Sequence, residues 1–445
     1  MCGSAQANLR KNTAARAHYC AQRHRAKHCR SDRVKRVLMI AFHFPPVAMG
    51  SGHLRTLGLV RYLPELGWEP TVLSVNAASS PRVDVENLKL IPENCRVHRA
   101  FALDVRRHLS FRRKYPGFLA QPDGWASWWP AAVLQGLWLI RRHQISAIWS
   151  TYPIMTAHCI AHTLSRMTGL PWVADFRDPV ASSVEAGNKF SVTSQKRWER
   201  RVLAQAARTV FTTPGAMRNY VEHFPQAFVD GRLVVIPNGY DETAFSDMAA
   251  VARSQPCRPL RLVHSGILYP EGRNPVPFFT ALANLKAAGT LTEDDVTIVL
   301  RASGSEPLYM EEIRRRGLER MITLAPPISN REALLEQADA DALLLFQGVQ
   351  YDRQIPAKVY EYLRIGRPVF ALVSESGDTA ALLHDTGGAT LVPPDDVSGI
   401  ERGFPEFIQA LRDQRAPVAN ASVVQRYSRR HGAVLLAGLL DEVVG

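Results

Sequence analysis

Cysteine is scarce and unpaired in this 445-residue chain. There are six, three of them (Cys2, Cys20, Cys29) close to the start, and no CxxC spacing occurs. That usage excludes a disulfide scaffold. Cys20, His24, His28 and Cys29 have a zinc-like look, but no second Cys pair stands near to complete a closed site. Cys95, Cys159 and Cys257 lie far apart and read as small core residues of a protein in a reducing compartment. Long apolar runs are also missing. Trp125 to Ile140 comes nearest, but it is too short for a membrane span and contains Pro130. No clean apolar segment follows the basic start, so a secretory signal is not expected. The GxxxxGK[ST] pattern is absent. A GxGxxG fingerprint would need glycine where Arg55 stands, and the second strand ends Ser74-Val75-Asn76 with no acid for a ribose hydroxyl. An NAD or FAD site is therefore disfavoured.

What is present is an ordinary globular composition, 46% hydrophobic and 21% charged, with a net charge of +13. Such a chain is not disordered as a whole, and its length suits two or three domains. The charge is uneven. Residues 1–36 hold ten Lys or Arg against one acid, Asp32, so they carry +9 and leave +4 for the rest. Residues 1–34 have no apolar periodicity and read as a disordered basic tail. The tail suits an anionic membrane or RNA, or simply marks a start codon set too far upstream; the last reading is favoured. No RRM, KH or zinc-finger pattern accompanies it, so no specific nucleic-acid partner is expected.

After the tail, short apolar runs alternate with helical patterns. Strands are predicted at Val37–Phe42, Thr71–Val75, Ala147–Ser150, Trp172–Phe176 and Thr209–Thr212. A second series covers Arg261–Ser265, Val296–Arg301, Ile322–Leu324, Ala342–Phe346, Val369–Val373 and Thr390–Val392. Continuous apolar strands between helices indicate parallel sheets covered on both faces. The expected class is α/β, with two Rossmann-like doubly wound domains, 35–240 and 258–425, facing a cleft. A C-terminal helix over 426–445 is expected to return to the first domain. In such sheets ligands bind at the carboxyl ends of the strands.

Four segments fall at those ends. Gly50-Ser51-Gly52 opens a helix after the first strand and lets backbone N–H groups approach an anion; a plain flexible turn is the alternative. Asp175-Phe176-Arg177-Asp178-Pro179 closes a strand with two carboxylates and a guanidinium. A local ion pair to Arg177 would explain it, as would a role in orienting sugars. His264-Ser265-Gly266 ends the first strand of the second series, and Arg273 stands just before a helix N-terminus, where a diphosphate would meet both dipole and guanidinium; a solvated loop arginine is the alternative. Pro356 starts and Gly366 ends a helix carrying Lys358 and Glu361 on one face. An ordinary Lys–Glu helix pair accounts for that spacing as well as ligand binding does.

Taken together, VLMIAFHFPPVAMGSGHLRTLGLVRYLPELGWEPTVLSV, PWVADFRDP, VVIPNGYD, HSGILYPEGRNP and IPAKVYEYLRIGRPV, in that order, resemble the retaining, nucleotide-sugar-dependent glycosyltransferases of the family 4 type. The resemblance spans about residues 35–430 and implies a GT-B fold. It implies that the C-terminal domain binds the sugar nucleotide and the N-terminal domain the acceptor. It further implies that Glu361 holds ribose, that Arg273 and Lys358 hold diphosphate with Gly266 nearby, and that the Gly50–Gly52 loop closes on the donor. Asp175 and Arg177 would orient the sugars. No cofactor and no obligatory metal are implied, and Asp339 and Asp341 read as a helix end and a strand start rather than a metal-binding pair. The chain departs from the family pattern at Arg353, where the first of two paired glutamates is usual, and at Leu268, where arginine is usual. The implied reaction moves a sugar to a saccharide or lipid-linked acceptor in cell-surface polysaccharide or glycolipid synthesis. A non-catalytic binding protein and a GT-B-like epimerase are the alternatives.

One further stretch bears on the acceptor. Arg106, Arg107, Arg112, Arg113 and Lys114 precede Trp125, Trp128, Trp129 and Trp138. Cations beside interfacial aromatics suit an anionic membrane surface at the inner face of a membrane, for a cytoplasmic, peripheral protein. A tryptophan-rich core helix is the alternative.

Overall fold

Seven parallel strands form the first sheet: β1 (Lys35–Ile40), β2 (Trp68–Val75), β3 (Arg96–Ala100), β4 (Ala147–Thr151), β5 (Trp172–Arg177), β6 (Arg208–Phe211) and β7 (Leu233–Val235). Their order is β3-β2-β1-β4-β5-β6-β7. The computed structural model describes residues 34–47, 52–112, 114–177, 189–227, 231–246, 248 and 259–445. Six strands form the second sheet: β8 (Leu260–Ser265), β9 (Val296–Arg301), β10 (Ile322–Ala325), β11 (Ala342–Phe346), β12 (Val369–Leu372) and β13 (Ala389–Val392). They too are parallel, in the order β10-β9-β8-β11-β12-β13. Both orders reverse direction beside their first strand, between β1 and β4 and between β8 and β11. Each sheet therefore opens a crevice at the carboxyl ends of those strands. The fold class read from the sequence is the one observed. The basic tail lies outside the described residues.

The strands are apolar because helices bury both faces. On the first sheet lie α1 (Gly52–Tyr62), α2 (Trp128–His143), α3 (Met155–Thr168), α4 (Lys189–Gln205) and α5 (Pro214–His223). The second carries α6 (Val276–Ala287), α7 (Glu306–Arg315), α8 (Asn330–Asp339), α9 (Ala357–Ile365), α10 (Asp378–Thr386) and α11 (Val397–Arg412). The last helix, α12 (Arg429–Val444), leaves the second sheet and lies on the first. Its Ala433, Leu436, Ala437 and Leu440 join one core with Leu57 and Val60 of α1 and Val37 and Met39 of β1.

The chain thus crosses between the sheets twice, near Tyr240 and near Ser428. The crossings run side by side. The Tyr240 N–H donates to the Tyr427 carbonyl (3.2 Å), and the Arg429 N–H donates to the Tyr240 carbonyl (2.8 Å). Asp241 anchors them to α1, accepting from Tyr62 Oη at 2.9 Å and pairing with Arg61. At the cleft edge the start of α5 also touches the loop at Arg353 and the start of α10. Thr213 Oγ1 donates to the Arg353 carbonyl (2.8 Å), and the Gly215 N–H donates to Asp378 Oδ2 (2.8 Å).

Candidate functional site

The C-terminal wall of the cleft gathers cations around α9. Pro356 and Gly366 bound this helix, with Gly366 in the left-handed conformation that ends it. Lys358 stands in its first turn, and its Nζ lies 3.1 Å from His264 Nε2 at the end of β8. His264 Nδ1 lies 2.9 Å from the Leu344 carbonyl and Nε2 3.0 Å from the Gly266 carbonyl, so each ring nitrogen faces a backbone oxygen. Burial, followed by the nearby Lys358 charge, holds the His264 ring well below its ordinary pKa, so it is neutral. Burial and then Arg273 push the Lys358 ammonium down to about 7, with Glu361 pulling the other way. Gly266 follows β8 at φ 113°, and a Cβ there would come within 2.8 Å of Lys358 Nζ. Glycine meets both demands.

Arg273 is half-buried, its guanidinium carbon 5.4 Å from the Tyr269 ring centroid and 5.8 Å from that of Tyr351. Those aromatic faces fix the guanidinium without neutralising it. Glu361 follows Lys358 by one turn. Burial raises its carboxyl pKa, and Arg429 and then Lys358 oppose that shift. Gly266, Arg273, Lys358 and Glu361 therefore meet at one place: two cations, one carboxylate and a close backbone.

The N-terminal wall is built differently. Asp175, wholly buried at the end of β5, accepts from Arg55 Nε (2.9 Å) and Arg55 Nη2 (3.1 Å), and from Thr151 Oγ1 (3.2 Å). Arg55 also donates to the carbonyls of Ile236 (3.0 Å) and Pro237 (2.9 Å). Both Asp175 oxygens are thus taken up inside the protein. The partner is Arg55, not the neighbouring Arg177, so Asp175 acts on the cleft through Arg55. Arg177 ends β5 at φ 57°, where the register with β6 shifts, and its Nη1 donates to the Tyr152 carbonyl (3.3 Å). Such a conformation is strained for a side chain other than glycine. Gly52 begins α1, and a Cβ there would sit 2.8 Å from His43 Nδ1 and 3.0 Å from Arg177 Nη1. Gly50 and Ser51 lie outside the described residues.

A pocket between the walls is lined by Arg55, Arg177, Pro237 and Asn238 on one side and by Ala357 and Arg429 on the other. Arg353, at the expected first-glutamate position, turns away from this pocket. Its Nη1 pairs with Glu222 of α5 at 2.9 Å. Sequence reasoning passed over Arg55, His264 and Arg429 as site residues. For Arg55 a signal existed: a charged residue in the first turn of a helix that follows a strand end. Of the four tryptophans, Trp128 is buried and Trp125 and Trp129 pack against the core. These three follow the core-helix alternative; Trp138 is exposed. Among the described residues no cluster of three His, Cys, Asp or Glu is placed to hold a metal ion. No helix among them is long and apolar enough to cross a membrane.

Residues 50–239 match the family model described as a glycosyl transferase 4-like domain. No curated protein matches the sequence at a significant level. Among solved structures, sucrose-phosphate synthase from Thermosynechococcus elongatus superposes with a TM-score of 0.63 at 14% identity, over 92% of this chain and 98% of that one. HepE from Anabaena in complex with UDP gives 0.60 at 15% identity, over 92% and 100%. The lipopolysaccharide outer core galactosyltransferase WaaB gives 0.58 at 12%, over 91% and 99%. At these identities the structural likeness establishes the fold, two Rossmann-like domains facing a cleft. Residues 50–239 match a glycosyl transferase 4-like domain, and the chain that carries them has a GT-B fold.

Proposed function

We propose that the protein transfers a sugar from a nucleotide-sugar donor to a saccharide or lipid-linked acceptor, with retention, in the synthesis of cell-surface polysaccharide or glycolipid. It would do so in the cytoplasm, at the inner face of the membrane. The observation that carries the donor reading is Lys358, a partly buried ammonium at a helix start near Arg273. Holding two partly desolvated cations together is costly unless an anion joins them. A diphosphate supplies that anion, with Gly266 allowing close approach of the backbone. Glu361 then accepts from ribose hydroxyls. The HepE structure contains UDP, which agrees with this assignment.

In the transfer, the sugar C1–O bond to the diphosphate breaks and an acceptor oxygen bonds to C1 on the same face. The acceptor proton passes to the departing phosphate oxygen. Charge grows on the diphosphate as the bond breaks, so the fixed cations Lys358 and Arg273 stabilise the transition state without reorganising. No protein nucleophile is invoked. Asp175 is occupied by Arg55, and the pair shapes the acceptor side together with Arg177.

A thermal-shift screen of purified protein against UDP-, GDP-, ADP- and dTDP-sugars tests the donor class. One of them should raise Tm by mass action. Glu361→Ala should weaken that nucleotide-sugar and leave the unliganded Tm nearly unchanged. Equal affinity in the variant, or no shift with any nucleotide, contradicts the reading.

A further inference from the structure

Exposed apolar residues stand on α2 beside β3 and on the connection between them, whose 117–120 turn packs on α4. Trp138 and Leu134 stand out from α2, 54% and 71% exposed, one turn apart. This helix runs antiparallel to β3. The Trp138 ring lies 6.1 Å from His98, while the Leu103 N–H, just beyond β3, donates to Ser127 Oγ (2.9 Å) at the start of α2. Phe101, 57% exposed, leaves β3 at that same end. Farther along the connection, the Phe111 and Lys114 backbones exchange two hydrogen bonds (2.8 and 2.9 Å) and close a tight turn. Phe111 and Phe118 are exposed there, 78% and 72%, and the Arg112 guanidinium carbon lies 5.6 Å from the Phe111 ring centroid.

Charge along this edge has one sign. From Arg96 to Arg142 the chain carries nine Lys or Arg and two acids, Asp104 and Asp123. Both acids are buried in structural work. Asp104 caps a turn through the Arg106 N–H, and Asp123 accepts from the Thr156 N–H and hydroxyl. No acid in that stretch offsets the exposed Arg106, Arg112, Lys114, Arg141 and Arg142. Aromatic rings and a leucine set among cations match an anionic bilayer in both respects. The rings enter the boundary of headgroups and acyl chains, and the cations meet lipid phosphates.

We infer that the surface formed by the β3 edge, α2 and the 101–120 connection, with Trp138, Phe111 and Phe118 as insertion points and Arg106, Lys114, Arg141 and Arg142 as cations, docks the protein on an anionic lipid bilayer. The inference rests on the proposed lipid-linked acceptor only for its purpose; the docking itself is independent of donor chemistry. It also separates the edge from the basic tail, which every variant below retains.

Co-sedimentation of the full chain with vesicles tests it, using phosphatidylcholine alone or mixed 7:3 with phosphatidylglycerol. The intact protein should bind the mixed vesicles, release as salt rises from about 0.1 to about 0.5 M, and ignore the neutral ones. Phe111→Asp with Phe118→Asp should weaken vesicle binding by about tenfold or more, and Arg106→Glu with Lys114→Glu by a similar factor. Tm and its shift with the preferred nucleotide-sugar report that the fold and donor site remain intact. Trp138→Ala is a second, less disruptive variant should the double variants fail to fold. Binding unchanged by all of these would overturn the inference and leave the tail as the anchor. Absence of vesicle binding would overturn it too. So would a dimer in sedimentation velocity that Phe111→Asp dissociates, since the edge would then be a self-association face. A failed nucleotide screen alongside edge-dependent vesicle binding would sink the donor reading and spare this one.

Discussion

The two walls of the cleft handle charge in opposite ways. On the N-terminal wall Asp175 and Arg55 neutralise each other through two hydrogen bonds, and Arg55 also donates to the carbonyls of residues 236 and 237 and to Asn238 Oδ1. On the C-terminal wall Lys358 stands near Arg273 and near the half-buried Glu361, which Arg429 also approaches, and Lys358 rests on a neutral imidazole. One wall is electrostatically complete without substrate, and the other is not. The complete wall is suited to holding shape, and the incomplete one to taking up an anion.

That contrast can be broken from either side. The largest effect is expected from Asp175→Asn. It leaves Arg55 buried without its counter-charge, and chemical denaturation should show a loss of about 3–5 kcal/mol. Lys358→Met should do the reverse. Removing a partly buried cation whose pKa is already depressed should leave Tm unchanged or raised, while nucleotide-sugar affinity falls about 10–100-fold by calorimetry, as expected for a lost charge-assisted contact. A Lys358→Met protein that loses stability and keeps its affinity would make the two walls alike. Smallest of all is Arg353→Ala. Its pair with Glu222 is about half exposed on both sides, so about 1 kcal/mol or less is at stake. Donor affinity should change little, because Arg353 points to α5 and not into the pocket.

Much of this architecture is legible in the sequence. The apolar strands β1, β4, β5, β8 and β11 and their helices announce themselves by period and by Pro and Gly at the ends. The strands that escape notice are β3 and β7. Arg96, His98 and Arg99 make β3 polar because it is an edge strand, and β7 has only three residues. On the C-terminal wall, Gly266, Arg273, Lys358 and Glu361 were legible because each sits on or beside a short motif. On the N-terminal wall the motif DFRDP suggested an internal ion pair, yet the partner of Asp175 comes from position 55. A contact across 120 residues leaves no local pattern. The tryptophans left two readings open for a related reason. Nothing in WWPAAVLQGLWLI says which face of α2 turns inward, and three of the four rings near it belong to the core.

The pKa of Lys358 offers the sharpest single test. Its ammonium sits near 7 in the free protein and must be protonated to hold diphosphate. Below pH 7 the proton is already present and affinity is flat. Above it, affinity falls by about tenfold between pH 7 and 8.5, because each binding event must bring the proton in. Calorimetry of the stabilising nucleotide-sugar at pH 7.5, in buffers of differing ionisation enthalpy, reads that proton directly. The wild-type protein should take up most of one proton on binding, and Lys358→Met should take up almost none. Binding by the wild-type protein with no proton uptake, or with the same uptake in Lys358→Met, would contradict a donor site built on Lys358.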